Sequence, residues 1–343
     1  MGFGVWDFVG IWPLGFGILA AMPIADLTHL WVEQPLVPEA ASLLPPHVTV
    51  LRADLASVKP YGNASPAQAA VALSQIQYDD AFFAAAPMLK ILARAGIGLD
   101  NVDVAAATKR GVAVCNAPDG PTESTAEHAV ALMLALAKRL KPGDANLAAG
   151  NFGPRSGLLG TELKGRTLGL LGLGRIGRRV AEICGLGLKM NVIASDPAVK
   201  PEQAREMGVT LTDQESVIAR ADVLSLHAPL LPQTRGMMNR ERLGRMKKGS
   251  YLINVARGAL VVEEDLLAAI DAGHLAGAGL DVFEPEPPVK GSRIRNHPSI
   301  IVTPHAASVT AEGRARTDVM AVEAVLAFFR GEPAPNLVNP GTP

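Results

Sequence analysis

Two hydrophobic periods take turns along this chain. From Met22 onward, continuous apolar runs at 47–51, 69–73, 89–93 and 112–115 are separated by stretches with apolar residues at helical spacing, such as 80–86 and 104–110. Runs of four or five apolar residues suit strands buried on both faces, and the 3.6-residue period between them suits helices laid over a sheet. A helix with an unbroken apolar stripe is predicted over 122–140, followed by a Gly-rich loop over 142–165. Further strand runs end at Leu171, Ser195, Leu226, Asn254, Asp281 and Thr303, and each but the last leads into a helical stretch. A long final helix is predicted over 311–330, then a Pro-rich tail over 332–343. The order contains no repeat. It predicts an α/β fold with two doubly wound parallel sheets.

Gly172, Gly174 and Gly177 in TLGLLGLGRIGRRVAE stand where the apolar run 168–171 turns into a helix from Arg175. That context suits a dinucleotide. The first glycine permits the tight turn, the second lets the backbone approach a pyrophosphate, the third lets helix and strand pack closely, and the helix N-terminus points free N–H groups at the phosphates. The next apolar run, 191–195, ends in Asp196, nineteen positions after Gly177. An acid there binds the ribose 2′-OH of NAD and repels a 2′-phosphate. No Arg or Lys occupies 197–199, and Lys200 is the first base beyond. NAD(H) is therefore the expected cofactor.

Composition narrows the class without deciding it. A chain of 343 residues with 48% hydrophobic content is long enough for about two domains and gives no reason to invoke disorder. The net charge is −1, and the densest basic stretches, Arg175 with Arg178 and Arg179 and KRLK at 138–141, lie on helices. No nucleic-acid partner is expected. Two cysteines, Cys115 and Cys184, make neither a disulfide framework nor a metal spacing, and read as buried thiols in a reducing cytoplasm. Residues 1–21 are apolar and rich in Gly and aromatics, but the first basic residue is Arg52, and Asp7 and Pro13 interrupt the stretch. A secretory signal needs a positive start, and a spanning helix needs about twenty unbroken apolar residues. The stretch reads as a non-native or mis-assigned extension ahead of a start at Met22, with a weakly structured or partner-covering segment as the alternative. No membrane partner is expected.

The strand ends carry chemistry, at the sheet edge where α/β folds place their ligands. His227, Ala228 and Pro229 follow Leu226; Val255, Ala256, Arg257 and Gly258 follow Asn254; Glu286 lies five positions after Asp281; and Thr303-Pro304-His305 closes the last strand. A guanidinium, a carboxylate and an imidazole thus gather beside the nicotinamide end of a bound dinucleotide. Reduction of a 2-keto acid needs a cation to hold the substrate carboxylate and polarise the keto oxygen, a proton donor for the alkoxide, and a group that keeps the donor charged. Arg, His and Glu supply these in turn. Glu284 is the rival carboxylate to Glu286, and His128 reads as a packing or capping residue on its helix.

The motifs GIGLDNVD (96–103), STAEHA (124–129), LLGLGRIGRRVA, SLHAPLLPQTRGMMN (225–239), MKKGSYLINVARG (246–258), GLDVFEPEP (279–287) and TPHAA (303–307) resemble, in content and order, the D-isomer-specific 2-hydroxyacid dehydrogenase family. The resemblance covers 22–330. It implies a homodimer whose flavodoxin-like substrate domain spans 22–117 and 308–335, with a Rossmann NAD-binding domain over 118–307 inserted into it. It further implies that Arg257 binds the substrate carboxylate and carbonyl, that His305 is the general acid/base, and that Glu286 pairs with His305. Backbone N–H groups of Ile97 and Gly98 are expected to hold the other carboxylate oxygen, and Asp281 the nicotinamide amide. Thr125 and His227 are expected to line the cofactor together with Arg175, Ile176, Ala228, Pro229, Thr234, Val255 and Ala256.

Within the family, RAGIGLDNVD and GTELKGRTLG resemble phosphoglycerate dehydrogenases, in which arginines of the first domain meet the substrate phosphate. Arg94 stands in one such place. The segment 69–83 offers no second arginine, which leaves a hydroxypyruvate or glyoxylate reductase equally open. Formate dehydrogenases carry Gln where this chain has Glu286, so that reading is disfavoured, as is a phosphite dehydrogenase. An NAD-sensing corepressor similar to the C-terminal-binding proteins keeps the same Arg, Glu and His and is the alternative from another class.

Overall fold

Apolar runs buried on both faces build two parallel sheets in the computed structural model of the chain, which describes residues 24, 26–152 and 155–340. The extension expected at 1–21 lies outside the described residues. In the first sheet, β1 (His29–Val32), β2 (Thr49–Arg52), β3 (Ala69–Ala72), β4 (Ile91–Arg94) and β5 (Ala113–Asn116) pair in the order β2-β1-β3-β4-β5. The central strand β3 is buried at every position, and the edge strand β2 is largely exposed. The connections carry α1 (Pro38–Ala41), α2 (Asp80–Ala85) and α3 (Val104–Lys109). Asp79 caps α2 by accepting from the N–H groups of Ala81 and Phe82, and Asp103 caps α3 by accepting from Ala106, which satisfies donors that a helix start leaves free.

The chain then enters α4 (Thr122–Ala137) and α5 (Leu140–Ala148). The helix expected over 122–140 stops at Ala137 because Arg139 adopts the left-handed conformation, φ 52°. A second helix begins where the Gly-rich loop was expected. Pro142 fits its first turn, where an N–H would have no acceptor within the helix. The stripe of α4 buries Ala126, Ala129, Leu132, Met133 and Leu136, and a fully buried Leu or Met contributes about 1.5–3 kcal/mol.

The second sheet follows: β6 (Thr167–Leu171), β7 (Asn191–Ser195), β8 (Val209–Leu211), β9 (Val223–Leu226), β10 (Tyr251–Asn254), β11 (Gly277–Leu280) and β12 (Ile300–Val302), with α6 (Arg175–Glu182), α7 (Pro201–Glu206), α8 (Gln214–Arg220), α9 (Arg240–Arg245) and α10 (Glu263–Asp271) between them. The order is β12-β11-β10-β9-β6-β7-β8, all parallel. It reverses beside β6, and the crevice at such a switch point is where open α/β sheets bind ligands. The run 209–211 is too short to read as a strand by its period; β8 forms by adding an edge to β7.

The long helix α11 (Ala311–Phe329) returns to the first sheet and packs on β3, β4, β5 and α1. Its fully buried Asp318 accepts from the Val37 N–H at 3.1 Å and from Arg314 Nε at 2.7 Å. Beyond it the tail runs along β5: the Val338 N–H donates to the Val114 carbonyl at 2.8 Å, and Asn339 Oδ1 accepts from the Val114 N–H at 2.8 Å. Segments on both sides of the seven-stranded unit therefore build the five-stranded one.

Candidate active site

The glycine loop joins β6 to α6. Gly172 has φ +100°, a conformation that favours glycine, and a Cβ there would lie 2.6 Å from the carbonyl carbon of His227. A Cβ on Gly177 would lie 2.4 Å from the Gly172 carbonyl oxygen, so the helix can approach the strand only with glycine at this position. Gly174, the N-cap of α6, faces open space. Asp196, just past β7, reaches back: its Oδ2 accepts from the Leu173 N–H at 2.7 Å, and its Oδ1 from Ala198 at 2.8 Å. The cradle, the open helix start and the acid at the next strand end together fit an adenine dinucleotide. Arg175 opens α6 and pairs with Asp119 at 2.5 Å, and Ile176 packs half-buried against the core.

The other expected cofactor residues line the same sheet edge in different ways. Ala228 lies beside Gly172, with its N–H 2.8 Å from where a Cβ would stand. Pro229 is exposed, Val255 and Thr125 are buried, and Ala256 is half-buried. Thr234 spends its hydroxyl on its own loop, donating to the Pro229 carbonyl at 2.7 Å and accepting from the Leu231 N–H at 2.8 Å. His227 exchanges a hydrogen bond with Ser225 through Nε2 at 2.9 Å, while its buried Nδ1 has no protein partner among the described residues. Burial pushes its pKa down to about 4, so this ring is neutral at physiological pH.

The reactive groups come from three strand ends. His305 Nδ1 lies 2.8 Å from Glu286 Oε2, and Glu286 Oε1 accepts from the Phe283 N–H at 2.9 Å. Burial raises the Glu286 pKa, but the bonds from His305 and Phe283 and the charges of His305 and Arg257 outweigh it and hold the carboxyl below its usual value. Glu286 is thus a carboxylate. Glu284, the rival, points toward Arg235 at 3.8 Å and is largely exposed.

His305 itself has φ 51°, an unfavourable region for a residue with a side chain. Asp281 holds that backbone in place. Its carbonyl accepts from the His305 N–H at 2.8 Å, its Oδ1 from Thr303 Oγ1 at 2.6 Å and the Ala306 N–H at 2.8 Å, and its Oδ2 from the Ala307 N–H at 2.9 Å. The Asp281 side chain is fully buried, so its visible work is to shape the loop that carries the imidazole, a task distinct from the nicotinamide contact expected of it. His128 joins this network through Nε2, 2.9 Å from Thr303 Oγ1.

Arg257 is fixed from its own loop and from across the cleft. The buried Asn254 donates from Nδ2 to the Arg257 carbonyl at 2.8 Å, and Arg257 Nη1 donates to the Ala256 carbonyl at 2.7 Å. From the turn after β4, Asp100 Oδ2 accepts from Arg257 Nε at 2.9 Å and Nη2 at 2.7 Å. The guanidinium lies against Gly98, where a Cβ would come within 2.0 Å of Nη2. The Ile97 carbonyl accepts from Asn116 Nδ2 at 2.9 Å, which ties the Ile97–Gly98 turn to the end of β5. Arg94, at the end of β4, folds over Gly96 with Nη1 donating to the Ala95 carbonyl at 2.8 Å. Burial lowers its pKa, while Glu33, Tyr78 and Asp100 oppose that shift and Arg257 adds to it. The structure thus brings Arg94 and Gly98 of the five-stranded unit against Arg257 of the seven-stranded one, with the Glu286–His305 pair within reach of the Arg257 charge. Asp100, Asn254 and Thr303 are the members that strand-end reasoning omits. Asp100 lies inside the GIGLDNVD motif, and Asn254 ends the strand before Arg257, so both stood next to a signal.

Residues 130–307 match the profile of the D-isomer specific 2-hydroxyacid dehydrogenase NAD-binding domain. The chain is 42% identical over 272 residues to a D-3-phosphoglycerate dehydrogenase of Archaeoglobus fulgidus, covering 79% of this chain and 51% of the relative. It is 44% identical over 274 residues to that of Mycobacterium leprae, covering 80% and 51%. The chain therefore spans about half the length of these relatives. Among solved structures, the TT0316 protein of Thermus thermophilus superposes with a TM-score of 0.82 at 36% identity, covering 91% of this chain and all of that one. A D-lactate dehydrogenase of Aquifex aeolicus, solved with NAD and lactic acid, gives 0.77 at 32% identity, covering 90% of this chain and 98% of that one. The glycine cradle, the strand-end arginine and the Glu–His pair all lie within the matched residues 130–307, and the chain belongs to the D-isomer specific 2-hydroxyacid dehydrogenase family, whose NAD-binding domain those residues carry.

Proposed function

We propose that this chain is an NAD-dependent D-2-hydroxyacid dehydrogenase that interconverts a small 2-hydroxy acid and its 2-keto acid. The observation that carries the reading is the 2.8 Å contact of His305 with the Glu286 carboxylate at a sheet edge shared with Arg257. In the reductive direction Arg257, with the backbone N–H groups of Ile97 and Gly98, binds the substrate carboxylate, and the guanidinium polarises the keto oxygen. His305 is held by Glu286 through Nδ1, which leaves Nε2 to give its proton to the oxygen as the carbon–oxygen double bond becomes single. When bound, NAD(H) supplies the hydride to the carbonyl carbon or takes it up in the reverse direction. The loop from Gly172 to Gly177 would hold its pyrophosphate, and Asp196 its ribose. Residues 118–307 form the NAD domain, and 22–117 with 308–335 the substrate domain.

The names of the 42–44% identical relatives and the position of Arg94 beside Arg257 support 3-phosphoglycerate as the substrate, with hydroxypyruvate and glyoxylate as the competing acids. A homodimer is part of this reading. Leu140, Leu147, Phe152 and Leu159, on α5 and the segment after it, are exposed, and an apolar surface of this kind suits a second copy. The apolar stripe of α4 is buried in the core, and the exposed apolar residues lie on α5 and just beyond it. Among the described residues no helix is long and apolar enough to cross a membrane; the cytoplasmic assignment is a proposal that rests on the two buried free thiols, Cys115 and Cys184.

Turnover with NADH across hydroxypyruvate, glyoxylate and pyruvate, and with NAD plus 3-phosphoglycerate, tests the activity. His305→Ala lowers kcat on the order of 10²-fold or more while NADH binding is retained. Full activity in that variant would sink the reading.

A further inference from the structure

The bidentate edge of Arg257 is already taken by a carboxylate. Nε and Nη2 both donate to Asp100 Oδ2, at 2.9 and 2.7 Å. This edge is the one a guanidinium uses to grip a carboxylate oxygen, and such charge-assisted bonds are short and strong. Asp100 belongs to the turn after β4 in the five-stranded unit, and Arg257 follows β10 in the seven-stranded unit. The pair therefore spans the cleft between the units. The guanidinium also lies against Gly98, whose backbone N–H is assigned to the substrate carboxylate, so the Asp100 carboxylate stands within the anion-binding corner itself.

From this geometry we propose that Asp100 is an internal stand-in for the substrate carboxylate, a residue that occupies Arg257 until a 2-keto or 2-hydroxy acid displaces it. The inference rests on the assignment of Arg257 as the carboxylate-binding residue. Two consequences follow. The ion pair keeps Arg257 extended toward the cleft and spares it an uncompensated charge, and it sets a threshold, because only a ligand that offers its own carboxylate returns to Arg257 the bonds lost from Asp100. A neutral ketone or aldehyde has no carboxylate to exchange and leaves the Arg257–Asp100 pair in place. The Asp100 side chain is 58% exposed, so once displaced its carboxylate passes into water without a burial penalty.

The test is binding of oxalate, a planar dicarboxylate that presents the keto-acid end of the substrate, to the NADH-loaded enzyme by isothermal titration, together with steady-state kinetics on hydroxypyruvate. Asp100 caps no helix and is largely solvated, so its substitution leaves the fold intact, which thermal melts verify. A half-exposed ion pair removed from competition shifts affinity about two- to fivefold. Asp100→Asn and Asp100→Ala should therefore bind oxalate about two- to fivefold more tightly than the wild type and lower KM for hydroxypyruvate by a similar factor, with a smaller change in kcat. Glycolaldehyde, which offers Arg257 no carboxylate, should show a smaller change in KM in both variants, so the advantage of hydroxypyruvate over it should widen. Oxalate affinity that is unchanged or weaker in both variants would overturn the stand-in, and weaker binding with a fallen kcat would show that Asp100 instead orients Arg257 during turnover. Arg257→Gln separates the two layers: if it binds oxalate as well as the wild type, the carboxylate assignment of Arg257 fails and the stand-in fails with it.

Discussion

His305 and Glu286 are nineteen residues apart in the chain and 2.8 Å apart in the folded protein, joined through Nδ1 and Oε2. Because the other oxygen of Glu286 is held by the Phe283 N–H, the carboxylate cannot turn away, and the imidazole is oriented by a partner that is itself oriented. Glu286 is held ionised, so the pairing strengthens above the usual carboxylate range and is lost as pH falls through the depressed folded-state value.

Glu286→Gln keeps the shape of the side chain and removes its charge. The imidazole then loses the charged partner that fixes Nδ1, so kcat/KM for keto-acid reduction with NADH should fall about 10- to 100-fold, the loss of a hydrogen bond to a charged group. Activity close to that of the wild type would remove Glu286 from this role.

Arg257→Lys preserves a positive charge but loses the planar fork that reaches carboxylate and carbonyl oxygen together. We expect kcat/KM to fall about 10- to 100-fold, the loss of one or two charge-assisted hydrogen bonds, with NADH affinity little changed. Activity close to that of the wild type would show that charge alone suffices.

Asp196 closes on the Leu173 N–H, and we propose that the same carboxylate meets the ribose of the cofactor. The wild type should favour NAD over NADP, and Asp196→Ala should narrow that preference mainly by weakening NAD. The same substitution frees a loop donor and should cost about 1 kcal/mol of stability in a urea titration. Equal kcat/KM for the two cofactors in the wild type would contradict the assignment.

Asp281→Ala strips acceptors from Thr303, Ala306 and Ala307 in a buried place. We predict a loss of about 2–4 kcal/mol in chemical denaturation, because buried donors left unpaired carry their full desolvation cost. Since His305 is held at φ 51° by the same loop, kcat should fall as well, and a variant with wild-type stability would remove Asp281 from this role.

The sequence by itself determined the alternation of strands and helices, the glycine cradle from Gly172 to Gly177, the acid at Asp196, and the residue types Arg257, Glu286 and His305 at strand ends. These are local matters: burial on both faces of a parallel strand writes a continuous apolar run, and a phosphate-binding turn writes its glycines within a few residues. The break at Arg139 was not legible, because the left-handed conformation there leaves no mark in the apolar period and Pro142 is tolerated on either side of it. Only the tertiary structure turned Glu284 toward Arg235, made Asp281 the clamp of the His305 loop, and set Asp100 against Arg257 across 157 residues of chain. Those relationships depend on how two sheets face each other over a cleft, and a contact between residues so far apart is fixed by packing of the intervening chain rather than by any spacing within it.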